Sequence, residues 1–155
     1  MNKKKLTDSL NIRFAAPGDI PEIVKIENEA YPDPWTPKMF YKELQLEFSY
    51  FFVVTLFSKI VGYVVFWCID DEIHLTNFTV SKNYRRQGFG KTMLKYVIDF
   101  VKSFNIKKNG KIYLEVRDTN LPAITLYKNF GFKKICIRKK YYSNTDDAVI
   151  MAKII

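Results

Sequence analysis

Two long apolar segments with a very short connection between them constrain the fold of this chain more than any other feature. Residues 50–57 and 60–69 are rich in Val, Ile, Phe and Tyr, and only Ser58-Lys59 separates them. Because a connection of two residues joins antiparallel strands, the pattern predicts a β-hairpin. A pair of aspartates then turns the chain into a third apolar segment, residues 72–80. The sequence therefore predicts an antiparallel sheet in the middle of the chain.

The remaining segments alternate between short strands and amphipathic helices. Asp19 and Thr36 are suitable N-caps for two helices, and the two prolines of residues 31–35 separate these helices. Further helices are predicted over 88–104 and 120–130, and strands over 11–16, 111–117, 132–138 and 148–154. We expect one α+β domain over residues 11–155, preceded by a flexible basic N-terminus at residues 1–10.

Composition excludes several kinds of site. The chain has one histidine, His74, and two cysteines; these are too few for a zinc cluster, and we expect no metal. A Ser-His-Asp or Cys-His triad would need His74, and no G-x-S-x-G segment accompanies it. Both cysteines, Cys68 and Cys136, lie in apolar strand segments, which favours reduced core thiols in a cytoplasmic protein.

Apolar length and charge indicate which partners to expect. No apolar run reaches the roughly 18–20 residues of a membrane-spanning helix, so we expect no membrane partner. Residues 17–47 carry seven acidic residues and three lysines, whereas residues 81–111 carry nine basic residues and one acidic residue. This division suggests two different partners, although two solvated faces are the simpler interpretation of charge alone.

One glycine-containing turn is the most informative segment for function. It reads Arg85-Arg86-Gln87-Gly88-Phe89-Gly90-Lys91, follows a predicted strand and opens a predicted helix. Glycines allow a ligand to approach the backbone closely, and the free amides of a helix N-terminus bind phosphate. Neither G-x-G-x-x-G nor G-x-x-x-x-G-K-[ST] is present, which disfavours NAD and nucleoside triphosphates. A solvated glycine loop is the structural alternative.

The same turn resembles the signature of the GCN5-related N-acetyltransferases (GNAT), because Arg85-x-x-Gly88-x-Gly90 matches Q/R-x-x-G-x-G/A. The resemblance implies a three-layer α/β/α fold with a mixed, mostly antiparallel sheet of about seven strands and about four helices. It implies a splay between the fourth and fifth strands, and acetyl-CoA as cosubstrate with its pyrophosphate on the turn. The residues expected to bind acetyl-CoA are Phe78, Thr79, Val80, Arg85, Arg86, Gln87, Gly88, Phe89, Gly90, Lys91 and Asn120.

Downstream segments resemble the ribosomal-protein-alanine N-acetyltransferase (RimI) subgroup of that family. They are residues 114–120, 123–132, 138–142 and 147–151, and residues 31–36 resemble the subgroup's loop between the first two helices. The resemblance covers residues 12–153. It implies transfer of acetyl from acetyl-CoA to the N-terminal amine of a ribosomal protein, with an alanine terminus as acceptor. We expect no direct contact with nucleic acid, because the basic residues cluster on the glycine-containing turn rather than on a recognition motif.

The subgroup's catalytic residues fall on two positions of this sequence. By resemblance, Glu115 is the general base, Tyr127 is the general acid, and the Val80 amide is the oxyanion donor. The aromatic residues that fit a lining for the acceptor peptide are Trp35, Tyr141 and Tyr142. Each assignment has a structural alternative: Glu115 as a strand-edge glutamate paired with Arg117 or a lysine, Tyr127 as a core tyrosine, and Asn120 as a helix cap. The three aromatic residues could equally be packing under loops.

Other functions stay open from the sequence. His74 is an alternative base, and an ordinary half-buried histidine is the simpler interpretation. The acceptor could be a lysine side chain or a small-molecule amine, and residues 81–111 could form a nucleic-acid-binding module. If the acceptor is a basic peptide, we expect Glu27, Glu29 and Asp33 to attract it.

Overall fold

The computed structural model describes residues 9–104, 110–142 and 145–155. The N-terminus predicted to be flexible lies, up to residue 8, outside the described residues. The strands are β1 (Leu10–Phe14), β2 (Ser49–Leu56), β3 (Lys59–Ile69), β4 (Glu72–Val80), β5 (Lys111–Arg117), β6 (Lys133–Tyr142) and β7 (Asp146–Ile154). The α-helices are α1 (Ile20–Ala30), α2 (Pro37–Glu43), α3 (Phe89–Lys102) and α4 (Leu121–Asn129).

The strands form one sheet in the order β1-β2-β3-β4-β5-β7-β6. β4 and β5 pair in parallel, and the other neighbours pair antiparallel. The predicted hairpin is confirmed, although its connection lies one residue earlier than the pattern suggested. Phe57 and Ser58 have φ angles of 48° and 66°, the left-handed values that a two-residue hairpin turn needs. The mixed, mostly antiparallel sheet is confirmed with it.

Helices cover both faces of the sheet, which confirms the three-layer arrangement. On one face, Ile23 of α1 and Phe40 of α2 pack against Phe51, Tyr63 and Val65. On the other face, α3 and α4 bury a larger core against the sheet; its α3 members are Phe89, Met93, Leu94, Val97, Ile98 and Val101. Of the helices that the structure describes, none has the length and apolarity needed to cross a membrane.

The α1 and α2 layer covers only part of its face of the sheet. The buried apolar strand residues beneath it come from β2 and β3. Leu114 and Val116 of β5 belong to the core under α3 and α4. Since side chains alternate along a strand, Glu115 and Arg117 point to the opposite face, beyond α1 and α2. This leaves an accessible surface along β5.

The end of the chain differs from the sequence interpretation. β6 continues to Tyr142, beyond the predicted end at residue 138, and Tyr142 pairs with Asp146 of β7. As an edge strand, β6 keeps its lysines solvated while pairing on one side only. For the same reason the prediction for Cys136 is wrong: its side chain is exposed rather than in the core, and Cys68 is half-buried. Helix α2 ends at Glu43, whereas the sequence pattern predicts an end near Glu47.

Candidate active site

β4 and β5 separate in the middle of the sheet. Their pairing ends at Leu75 and Leu114, whereas β4 continues to Val80 and β5 continues to Arg117. A cavity of about 370 Å³ opens between the diverging ends, with walls from β4, β5, α4 and the segment after α1. The predicted splay between the fourth and fifth strands is therefore confirmed. It exposes the second half of β4 to whatever enters the cavity.

The glycine-containing turn connects β4 to α3. Gly88 has a φ of 94° and immediately precedes α3, whose N-terminus receives no side-chain cap from the described residues. The amides of the first turn therefore point outward at the positive end of the helix dipole. Arg85 Nε donates to the Val80 carbonyl at 3.0 Å, which ties the turn to the end of β4. This geometry suits a phosphate or diphosphate.

The other members of the turn offer different groups to a ligand. The Phe89 ring is 1% exposed and stacks on Tyr84, so Phe89 offers only its backbone amide. Gln87 Nε2 donates to the Asn83 carbonyl at 3.0 Å, which holds the loop together. Lys91 is exposed. Main-chain donors and positive charges thus surround the start of α3.

Glu115 lies on β5 and lines the cavity. Its side chain is 34% exposed, and Oε1 accepts a hydrogen bond from Arg138 Nη1 at 3.0 Å. Hydrogen bonding to Glu115 raises the pKa of Tyr141, so Tyr141 keeps its proton at neutral pH. Glu115 is therefore paired with a basic side chain, but the partner is Arg138 rather than Arg117 or a lysine. A carboxylate in this position can also accept a proton from an amine in the cavity.

Tyr127 lines the same cavity from α4. It is 6% exposed, and its ring lies 6.2 Å from that of Phe78 in a T-shaped arrangement. Burial raises the pKa of Tyr127 well above its usual range, so the phenol is a proton donor at neutral pH. Asn120 caps α4, because its Oδ1 accepts from the Ala123 amide at 3.3 Å, and it too lines the cavity.

Aromatic residues and one arginine form the outer wall. The predicted acceptor-lining residues that border the cavity are Trp35, Tyr141 and Tyr142. The Arg117 guanidinium lies 4.2 Å from the centre of the Tyr142 ring. It also forms ion pairs with Asp146 at 2.7 Å and with Asp33 at 3.6 Å. Arg117, which the sequence interpretation considered only as a partner of Glu115, therefore connects the segment after α1 to the start of β7.

A hydrogen-bond network centred on Glu27 lies at the inner end of the cavity. Glu27 is 1% exposed and accepts from the Trp35 amide at 2.9 Å, from the Tyr63 hydroxyl and from Asn77 Nδ2 at 3.3 Å. The expectation that Glu27 attracts a basic acceptor from the surface is therefore wrong. The sequence position of Glu27 indicates its burial, because Glu27 lies on the apolar stripe of α1, four residues after Ile23.

Tyr31 fixes the part of β4 that borders the cavity, and the sequence interpretation missed it. Its hydroxyl shares a hydrogen bond with Thr79 Oγ1 at 2.9 Å and donates to the Phe78 carbonyl at 3.3 Å. Thr79 is 2% exposed, so its side chain serves this network rather than the cavity. Burial raises the pKa of Tyr31, which keeps the hydroxyl a donor.

His74 faces a second cavity of about 660 Å³ that shares Glu115 and Tyr141 with the first. Its ring stacks on Tyr113 at 5.5 Å, and Nε2 lies 3.2 Å from the Glu72 carboxylate. His74 is half-buried and does not line the cavity that holds Tyr127. Within the described ranges, no three His, Cys, Asp or Glu residues are grouped so as to hold a metal ion.

Comparisons with known proteins agree with this architecture. The model of the Acetyltransferase (GNAT) family matches residues 20–132. The [ribosomal protein bS18]-alanine N-acetyltransferase of Escherichia coli (strain K12) is 37% identical over 139 residues, covering 86% of this chain and 90% of that protein. An N-alpha-acetyltransferase of Sulfolobus acidocaldarius is 31% identical over 164 residues, covering 97% and 95%.

A solved structure gives the same result in three dimensions. The crystal structure of the ribosomal-protein-S18-alanine N-acetyltransferase from Escherichia coli has a TM-score of 0.86 at 33% identity, and the alignment covers 94% of each chain. The family model covers most of the chain, and the relative from Escherichia coli is 37% identical over 86% of it. The chain therefore belongs to the GNAT family and is an N-acetyltransferase.

Proposed function

We propose that this enzyme transfers acetyl from acetyl-CoA to the N-terminal α-amine of a ribosomal protein, with alanine as the acceptor residue. The observation that carries the proposal is that Glu115 and Tyr127, from different elements, line one cavity at the strand splay. The acceptor is supported by the Escherichia coli relative, whose name gives an alanine of ribosomal protein bS18. Such an acceptor implies a cytoplasmic reaction.

The residues around the start of α3 fit the diphosphate of acetyl-CoA. The amides of residues 86–91 would hold the pyrophosphate, since the N-terminus of α3 has no side-chain cap among the described residues. Arg85, Arg86 and Lys91 would add positive charge there. The backbone of Phe78, Thr79 and Val80, together with Asn120, would hold the pantetheine arm. Acetyl-CoA supplies the acetyl group as a thioester.

Two side chains and one amide then handle the protons and charge of the transfer. Glu115 accepts a proton from the acceptor ammonium, either directly or through one water. The Val80 amide donates to the acetyl carbonyl oxygen as negative charge develops on it. Tyr127 donates its proton to the departing sulfur, and burial keeps that proton in place at neutral pH because it raises the pKa of Tyr127.

The physical chemistry of amines favours an α-amine over a lysine. An α-amine has a reference pKa of about 7.7–8.0, whereas that of lysine is about 10.4. Deprotonation at pH 7 therefore costs roughly 1–1.4 kcal/mol for the terminus and roughly 4.6 kcal/mol for lysine. A partly exposed glutamate is therefore better suited to deprotonating an α-amine, since this step has the smaller free-energy cost. The aromatic wall also suits a peptide chain that extends away from the reacting amine.

Mass spectrometry of alanine-terminated peptides incubated with acetyl-CoA tests the proposal. We expect acetylation on the α-amine by the wild-type enzyme. Glu115→Gln and Tyr127→Phe should each lower kcat by about 10²–10⁴-fold, the usual contribution of a positioned acid or base. Both variants should keep the wild-type affinity for acetyl-CoA in calorimetry, because neither side chain is assigned to its binding.

The same experiment separates the competing functions. A peptide with a blocked N-terminus and an internal lysine is the matched control, and we expect no product from it. Product on that lysine, or on a small amine in preference to the peptide, would replace the proposed acceptor. Full turnover by Glu115→Gln would remove Glu115 from the role of base.

A further inference from the structure

Arg138 lies directly beside the proposed base. It extends from the edge strand β6, and both Arg138 and Arg117 pair with Ala148 of β7, so the two arginines lie in one row across the sheet. Arg138 Nη1 donates to Glu115 Oε1 at 3.0 Å. Its guanidinium lies 5.0 Å from the centre of the Tyr141 ring. In the free enzyme, an internal cation therefore occupies one oxygen of Glu115.

The exposure of this ion pair to water allows Arg138 to leave Glu115. The Arg138 side chain is 56% exposed and that of Glu115 is 34% exposed. Ion pairs with this exposure to water are weak, because water screens the charges and solvates both groups. Arg138 also has a second favourable contact, the face of the Tyr141 ring. Release of Glu115 would leave the guanidinium stacked and solvated.

An acceptor ammonium resembles the Arg138 guanidinium in its charge and in its hydrogen-bond donors. Both carry one positive charge and donate N–H groups to a carboxylate. At pH 7 most α-amines are still protonated, so the acceptor arrives with the same charge that Arg138 already places on Glu115. Two cations cannot share one carboxylate oxygen without mutual repulsion.

We propose, on the basis of the proposed function in which Glu115 is the base, that Arg138 is a positioning residue that the acceptor displaces. In the free enzyme Arg138 holds the Glu115 carboxylate at the cavity. When the acceptor binds, its ammonium replaces the guanidinium on Oε1, and Arg138 remains on the Tyr141 ring. Acceptor binding is then an exchange of cations, and Arg138 sets its affinity.

Steady-state kinetics with an alanine-terminated peptide test this exchange. Arg138→Gln removes the competing cation, so the KM for the peptide should fall about two- to fivefold, the size expected for an exposed ion pair. The KM for acetyl-CoA should not change. Arg138→Lys restores a cation and should return the peptide KM toward the wild-type value. Lys139→Gln is the matched control, because it removes one charge from the same strand. Lys139 pairs with Asp147 rather than with Glu115, so the peptide KM of this variant should equal that of the wild type.

Two results would overturn the inference. If Arg138→Gln leaves the peptide KM unchanged or raises it, Arg138 does not compete with the acceptor. If Lys139→Gln lowers the peptide KM as much as Arg138→Gln does, the effect comes from the net charge of the strand rather than from the contact of Arg138 with Glu115. Both failures leave the proposed function intact, since that function is tested separately, by the amine that receives the acetyl group and by the loss of turnover in Glu115→Gln.

Discussion

Glu27 shows how a single carboxylate can be kept in the interior although no cation among the described residues forms an ion pair with it. Three donors from three parts of the chain satisfy it: the Trp35 amide, the Tyr63 hydroxyl and the Asn77 amide group. A buried carboxylate is costly unless hydrogen bonds replace its hydration. Each bond also attaches α1 to a different neighbour. Glu27 thereby holds the segment after α1 against β3 and β4, where it forms one wall of the cavity.

Replacing Glu27 tests this role through stability. In Glu27→Gln an amide N–H replaces one acceptor oxygen, so at least one buried donor loses its partner. We expect the free energy of unfolding in urea to fall by about 1–3 kcal/mol. Glu29→Gln is the matched control on the same helix, because Glu29 is exposed; it should change stability by less than about 0.5 kcal/mol. Equal stability of the two variants would contradict the role given to Glu27.

Helix α3 depends on one residue at its start. Gly88 adopts a φ of 94°, in a region that residues with a Cβ avoid. This conformation lets the chain reverse after β4 and enter the helix with its first amides facing outward. No described side chain caps that end, so the amides remain available. The element therefore combines an unusual backbone angle with unused donors, which is suited to holding an anion.

A substitution at Gly88 should affect folding and acetyl-CoA binding together. Gly88→Ala adds a Cβ in the left-handed region, so stability should fall by about 1–2 kcal/mol. The turn relaxes and its amides rotate, so we expect calorimetry to show at least about tenfold weaker binding of acetyl-CoA. The matched control is Gly18→Ala, because a Cβ at Gly18 meets no atom within 4 Å. Wild-type affinity in a stably folded Gly88→Ala variant would be evidence against the pyrophosphate site.

At the level of elements, the accuracy of the sequence interpretation depended on how local each signal was. The hairpin and the amphipathic helices were predicted correctly, because a strand or helix reveals its buried face through its own periodicity. β6 was predicted too short, since an edge strand can be polar on both faces. The exposure of Cys136 was missed for a related reason: an apolar sequence neighbourhood does not show whether a second layer covers the strand.

The cavity belongs to the whole molecule rather than to any element. Its walls come from β4, β5, α4 and the segment after α1, with Tyr141 and Tyr142 from the end of β6. The uncapped start of α3 lies at the end of β4, so a ligand bound there and in the cavity would contact both helical layers. Binding should therefore stabilise the entire fold.

Thermal unfolding with and without acetyl-CoA measures how much binding stabilises the fold. A ligand at a hundred times its Kd adds about 2.7 kcal/mol to the stability of the folded state. For a domain of this size, that corresponds to a rise in Tm of about 5–10 °C. Glu115→Gln should show the same rise, because Glu115 acts on the acceptor. A rise with single-stranded RNA, and none with acetyl-CoA, would instead favour the nucleic-acid-binding alternative.

The sequence alone indicated most strands and helices and the glycine-containing turn, because these depend on short-range periodicity and spacing. The residues of the proposed chemistry followed from the resemblance to the GNAT family. Which side chains contact each other became visible only in the folded chain. Arg138 lies 23 residues from Glu115, and Tyr63 lies 36 residues from Glu27. A local pattern shows which face a side chain occupies, but its partner depends on strand order and register across the sheet, which long-range packing determines.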